Sequence, residues 1–157
     1  MSGQVLVLGL GNTLLTDEGV GVHILRYLET ELPVPAGVEL MDGGTLSFTL
    51  AGPIESSDQL IVIDASELGA APGTVRVFAG AEMDSFVGGN RKRSVHEVSL
   101  LDLMAIAHLT GRLPARRALI GIQPASTDWG DAPTGAVASA IPQAAERVHS
   151  LIGEWSQ

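Results

Sequence analysis

The chain of 157 residues contains no cysteine, which removes disulfides, thiolate metal sites and a thiol nucleophile together. Basic charge is scarce as well: Lys and Arg number 9 against 18 Asp and Glu, for a formal charge of −9 and a pI near 4.7. Nucleic acids and anionic membranes are bound through clustered cations, so this balance argues against both as partners. The one basic cluster, Arg91-Lys92-Arg93, is too short to reverse it and reads as a solvated loop. Aromatic residues make up only 4%, which leaves the core to aliphatic side chains. No apolar run approaches the roughly 20 residues of a membrane helix. The first run, VLVLGL, has no positively charged segment before it, so a buried strand is expected there rather than a signal peptide or a membrane span. A cytoplasmic protein fits these absences.

At 45% hydrophobic and 17% charged residues the composition is that of an ordered globular chain. No linker, composition shift or repeat divides it, so residues 1–157 are expected to form a single domain. Strands are predicted at Val5–Leu10, Val38–Met41, Leu60–Ile63, Thr74–Phe78 and Ala118–Ile122, several of them continuous apolar runs of the kind that parallel strands covered on both faces present. Between them Val20, Ile24, Tyr27 and Leu28 form a helical stripe that ends before Pro33, and Leu100, Leu103, Met104 and Ala107 form another, closed by Gly111. A last helix is predicted from about Thr134 to Trp155, with Pro142 implying a kink or a break. Alternating strands and helices predict an α/β layered sandwich around a mostly parallel five-stranded sheet, with the strand-to-helix loops gathered along one edge.

Chemistry-bearing side chains fall at that edge: Asp17 and Glu18 after the first strand, Asp42 after the second, Asp64 after the third, and His96 before a helix. The opening turn, Gly9-Leu10-Gly11-Asn12-Thr13-Leu14, puts Leu14 where a dinucleotide fingerprint needs a small third residue. The acids that follow would compete with a phosphate at the helix N-terminus. Asp42, at the end of the second strand, keeps a ribose-binding role open, although Gly43-Gly44 equally suit it to holding a turn. Asp17 and Glu18 can both be helix-capping acids, or one can cap while the other faces the cleft. Asp64 either accepts backbone N–H bonds or faces a site. Ser94-Val95-His96-Glu97 matches a capping box, which makes Ser94 the N-cap and sets His96 in the first helical turn, where the dipole favours a neutral ring with a lone pair for a metal.

Other chemistries are absent by inspection. Leu100 stands where H-E-x-x-H needs its second histidine, and the chain has neither a G-x-S-x-G elbow nor a G-x-x-x-x-G-K loop. Carboxylates and one imidazole remain, a donor set that suits Zn, Ni, Mn or Fe in sites with open positions.

Over nearly its whole length the chain resembles the hydrogenase maturation proteases. The resemblance is carried by GLGNTLLTDEGVGV at 9–22, MDGGT at 41–45, LIVIDA at 60–65, APGTVRV at 71–77, SVHEVSLLDLM at 94–104, TGRLP at 110–114 and LIGIQP at 119–124, in this order and spacing. It implies a three-layer α/β/α sandwich with a twisted sheet. It also implies an endopeptidase that removes the C-terminal extension of a nickel-iron hydrogenase large-subunit precursor after nickel insertion. Glu18, Asp64 and His96 would contact nickel carried by the substrate, with no permanently bound cofactor, and Asp42 matches a further functional aspartate. Cleavage would then follow either from metal polarisation or from a carboxylate pair such as Asp42 with Asp64, which makes Glu18, Asp64 and Asp42 the catalytic candidates. A monomer is expected. The chain departs from the family at 79–93 and at the acidic tip 126–131, loops placed to set which precursor is accepted. The alternatives are a non-hydrolytic nickel-binding chaperone module and a nucleotide-binding α/β protein.

Overall fold

Strand β1 (Val5–Leu10) is buried at every residue, as expected for a strand covered on both faces, and it lies near the middle of the sheet. The structure, a computed structural model, describes residues 4–89 and 99–156. After β1 come α1 (Val20–Glu31), β2 (Val38–Gly44), α2 (Ala51–Ser56), β3 (Gln59–Ala65), β4 (Val75–Ala79), α3 (Ala81–Gly89), α4 (Leu100–Leu109), β5 (Arg116–Ile122) and α5 (Gly135–Trp155). The strands form one sheet in the order β2-β1-β3-β5-β4, parallel except for β4, which runs antiparallel to β5 at the edge.

Alternate residues of each strand feed two cores, which gives the three layers. Val5, Val7, Ile61, Ile63, Ile120 and Ile122 pack with α1 and α5, while Leu6, Leu8, Leu60, Val62 and Leu119 pack with α2, α3 and α4. The chain moves from β1 to β2 on one side, then crosses to β3 on the other side of β1. The strand order therefore reverses between β1 and β3, and at such a reversal the two connecting loops part and leave a crevice beyond the strand ends.

Helix α1 lies unusually close to this crevice. A Cβ added to Gly21 would come within 2.3 Å of the Ile63 carbonyl oxygen and 2.4 Å of that of Leu10, so only glycine lets the helix settle onto β1 and β3 together. Gly9 completes the contact from below, with 2.5 Å from its hypothetical Cβ to the Gly21 oxygen. Gly9 thus serves helix packing; the backbone bend belongs to Gly11.

Several elements differ from the sequence expectation. Helix α4 begins at Leu100 with Ser99 as its N-cap, the Ser99 hydroxyl accepting from Asp102 N and the Asp102 carboxylate from Ser99 N. The expected cap, Ser94, lies outside the described residues. Helix α5 runs as one element through Pro142. Helices α2 and α3 occupy segments with no helical prediction. Among the described residues no helix is long and apolar enough to cross a membrane.

Candidate functional site at the strand reversal

Beyond β1 the chain turns through Gly11, whose φ of 125° suits glycine alone and whose hypothetical Cβ would sit 1.8 Å from the Glu18 carbonyl oxygen. The turn is held from within: Asn12 Oδ1 accepts from Leu14 N at 2.9 Å, and Asn12 N donates to Glu18 Oε2 at 2.8 Å. One backbone amide of the turn is thus already bonded to a carboxylate, which would compete with a phosphate here.

Thr16 follows at φ 49°, a left-handed conformation rare for a β-branched residue, and such strain persists only where the surroundings enforce it. They do so here. Thr16 N donates to Gly130 O at 2.9 Å, and its hydroxyl donates to the carbonyls of Ser126 and Asp128. The 3-10 turn Thr16–Gly19 then sends two adjacent acids in different directions.

Asp17 is fully buried. Its carboxylate accepts from the backbone N–H groups of Ala125, Ser126 and Thr134 at 2.8, 3.1 and 2.7 Å, and from the Thr134 hydroxyl. Burial alone would raise this carboxyl, but the bonds from Thr134, Ala125 and Ser126 outweigh it and hold it below the usual range. Asp17 is therefore a structural clamp on the segment between β5 and α5.

Glu18 is half-buried, and its negative charge acts on Asp64, the next-to-last residue of β3. Burial pushes the Asp64 carboxyl up to about 7, and the negative charge of Glu18 adds to that, against one backbone N–H from Ala65 that opposes it. A carboxylate left in so costly a setting stands where a cation or a transferable proton would relieve it. Of the two possibilities open for Asp64, the backbone bond from Ala65 N is present, and the charge of Glu18 acts on it from the neighbouring loop.

Asp42 is exposed, and its Oδ1 accepts from Gly44 N at 2.8 Å. It stabilises the turn that leaves β2, where a bulge shifts the register between Gly9 opposite Asp42 and Leu10 opposite Gly44. Gly9 pairs with Ile63 on its other side, so Asp42 is two strand spacings, roughly 10 Å, from the end of β3. The charge that acts on Asp64 is that of Glu18. His96 lies outside the described residues, and among those described no three His, Asp or Glu side chains are grouped to hold a metal.

Gln123 was not singled out from the sequence, although it follows directly on β5 at the same edge. It is buried, accepts from Leu68 N at 2.7 Å and from Ala70 N, and donates to Glu67, which pins the loop that leaves Asp64. A polar residue directly after a buried strand was the available signal.

The fold is a mainly parallel α/β sandwich whose strand order reverses between β1 and β3, the place where open sheets of this class hold their ligands, and Glu18 and Asp64 both stand there. The sequence model described as hydrogenase maturation protease matches residues 22–151. The chain is 36% identical over 152 residues to the hydrogenase 2 maturation protease of Escherichia coli, covering 96% of this chain and 92% of that protein. It is 41% identical over 127 residues to the hydrogenase expression/formation protein HupM of Azotobacter chroococcum, a match that spans 81% of this chain but 60% of HupM. The solved structure of the hydrogenase maturating endopeptidase HybD from E. coli superposes with a TM-score of 0.88 at 36% identity, over 96% of this chain and 93% of that one. The chain belongs to the hydrogenase maturation protease family.

Proposed function

We propose that this protein is an endopeptidase that removes the C-terminal extension of a nickel-iron hydrogenase large-subunit precursor, with Glu18, Asp64 and His96 engaging the nickel the precursor carries. The observation that supports this most is the meeting of Glu18 and Asp64 at the strand reversal, where Glu18 helps to raise Asp64. Hard oxygen donors in a partly desolvated crevice favour a divalent cation, and a cation that arrives with the substrate fixes the scissile bond beside them. Family membership and the relatives' names support the peptidase reading.

Hydrolysis adds water across one peptide bond: the carbonyl carbon gains the hydroxyl and the leaving nitrogen gains a proton. A carboxylate pair serves both transfers, one member taking the proton from water and the other delivering a proton to nitrogen. Glu18 with Asp64 suits this better than Asp42 with Asp64, because Asp42 holds its turn two strands away. Nickel bound by the same carboxylates would polarise the carbonyl or the water.

Mass spectrometry of purified precursor, nickel-loaded or nickel-free, before and after mixing with the protein tests the proposal. Release of one C-terminal peptide from the loaded form alone is expected, slowed by about a hundredfold or more in Glu18→Ala. Binding without any released peptide would make the protein a nickel-dependent chaperone, and a wild-type rate in Glu18→Ala would refute the nickel-contact role.

A further inference from the structure

A single exposed apolar side chain is ordinary on a protein surface, but a large aromatic presented on a fixed loop has the features of an interface anchor. Trp129 is 82% exposed, yet the backbone on both sides of it is fixed. The Asp128 carbonyl accepts from the strained Thr16, Gly130 N donates to Leu14 O at 2.9 Å, and Gly130 O accepts from Thr16 N. Gly130 is itself required, because a Cβ there would meet Thr16 Cγ2 at 2.6 Å. The Asp17 clamp ties down both ends of the same segment through Ala125, Ser126 and Thr134. Leu14, on the chain bonded to Gly130, is 56% exposed. The loop is thus rigid and its apolar side chains are presented to solvent, a preorganised state that lowers the entropic cost of burying them against a partner.

Both residues stand on the edge that carries Glu18 and Asp64, and the tryptophan is flanked by the exposed acids Asp128 and Asp131. We infer that Trp129, with Leu14 beside it, is the anchor that docks the protein substrate, entering an apolar pocket bordered by basic groups next to the substrate's cleavage region. Among the described residues, the carboxylates Glu18, Asp42, Glu67, Asp128 and Asp131 outnumber the one cation at this edge, Arg76, which specifies a cationic border, since an acidic one would be repelled. Aromatic side chains on fixed loops are the usual carriers of interface energy. This inference rests on the proposed processing function, and it adds the surface that selects the substrate.

The test is steady-state cleavage of nickel-loaded precursor by wild type, Trp129→Ala, Trp129→Phe and the double variant Asp128→Lys/Asp131→Lys. Trp129→Ala is expected to raise KM roughly thirtyfold with kcat and Tm unchanged, because the ring touches substrate and not the protein's own core. Trp129→Phe should recover most of the loss, and the charge reversal should raise KM more at low salt than at high salt. An unchanged KM in Trp129→Ala overturns the inference, as does a dimer in sedimentation that this variant dissolves without altering KM. If wild type releases no peptide, the processing function fails while docking is still decided by fluorescence. In a Trp155→Phe background, which leaves Trp129 as the sole indole, a blue shift on adding precursor supports the anchor and the absence of a shift overturns it.

Discussion

Asp17 and Glu18 are neighbours in one short turn and have opposite surroundings, and Asp64 differs from both. Asp17 is buried but fully bonded, so its carboxylate is favoured; Asp64 is desolvated and faces another acid, so its carboxylate is disfavoured. Linkage then gives the sign. The folded protein holds the Asp64 proton up to about pH 7, against an unperturbed value of 3.8, so this group destabilises the fold progressively as pH rises from about 4 to 7 and fully above that. Asp64→Asn keeps the acceptor for Ala65 N and removes the charge. It is expected to stabilise the protein by a few kcal/mol at pH 8 and by only about 1 kcal/mol near pH 4.5, measured by urea unfolding at both values, while abolishing cleavage. Equal stability changes at the two pH values would show that Asp64 carries no buried charge. That Glu18, Asp42 and Asp64 stand at one edge was legible in the sequence, because each follows a strand, whereas the effect of Glu18 rather than Asp42 on Asp64 was not. The role of Asp17 was not: its partners lie 108 to 117 residues away, and no local pattern announces them.

The segment between β5 and α5 is held chiefly by the 3-10 turn, through Asp17 and Thr16. Replacing the Asp17 carboxylate with an amide turns two acceptor oxygens into one, against backbone donors that need both. Asp17→Asn is therefore expected to destabilise the protein by about 2–4 kcal/mol. It should also strip hydrogen-exchange protection from the Ala125, Ser126 and Thr134 amides before that of β1 or β3 amides. Protection lost evenly over the whole chain would mean that the clamp is not local. Among the elements, the five strands were legible because apolar runs bounded by turn residues leave little choice, and observed boundaries differ from the predicted ones by up to three residues at one end. Helix α2 was not legible, since Gly52 and Pro53 sit inside its AGPIES sequence and mimic a loop. Helix α3 ends on Gly88 and Gly89, and its apolar stripe is short. The antiparallel direction of β4 is set by pairing with β5 and leaves no trace in its own residues. Pro142 fails to break α5, whose neighbouring buried residues Val137, Ala140, Ala144 and Val148 keep one face on the sheet.

At the scale of the whole molecule, the order β2-β1-β3-β5-β4 does the functional positioning, because it separates the loops after β1 and β3 and lets Gly21 bring the end of α1 down over the gap. The acidic balance of the chain and the exposed Trp129 then lie around an edge whose charge is poised for a cation. The central claim is that Glu18 and Asp64 grip the nickel of the bound substrate. Anomalous diffraction at the nickel absorption edge from crystals of the protein bound to nickel-loaded precursor tests this most directly. The account predicts a single nickel peak within coordination distance of carboxylate oxygens of both Glu18 and Asp64; a nickel peak remote from either carboxylate would contradict it.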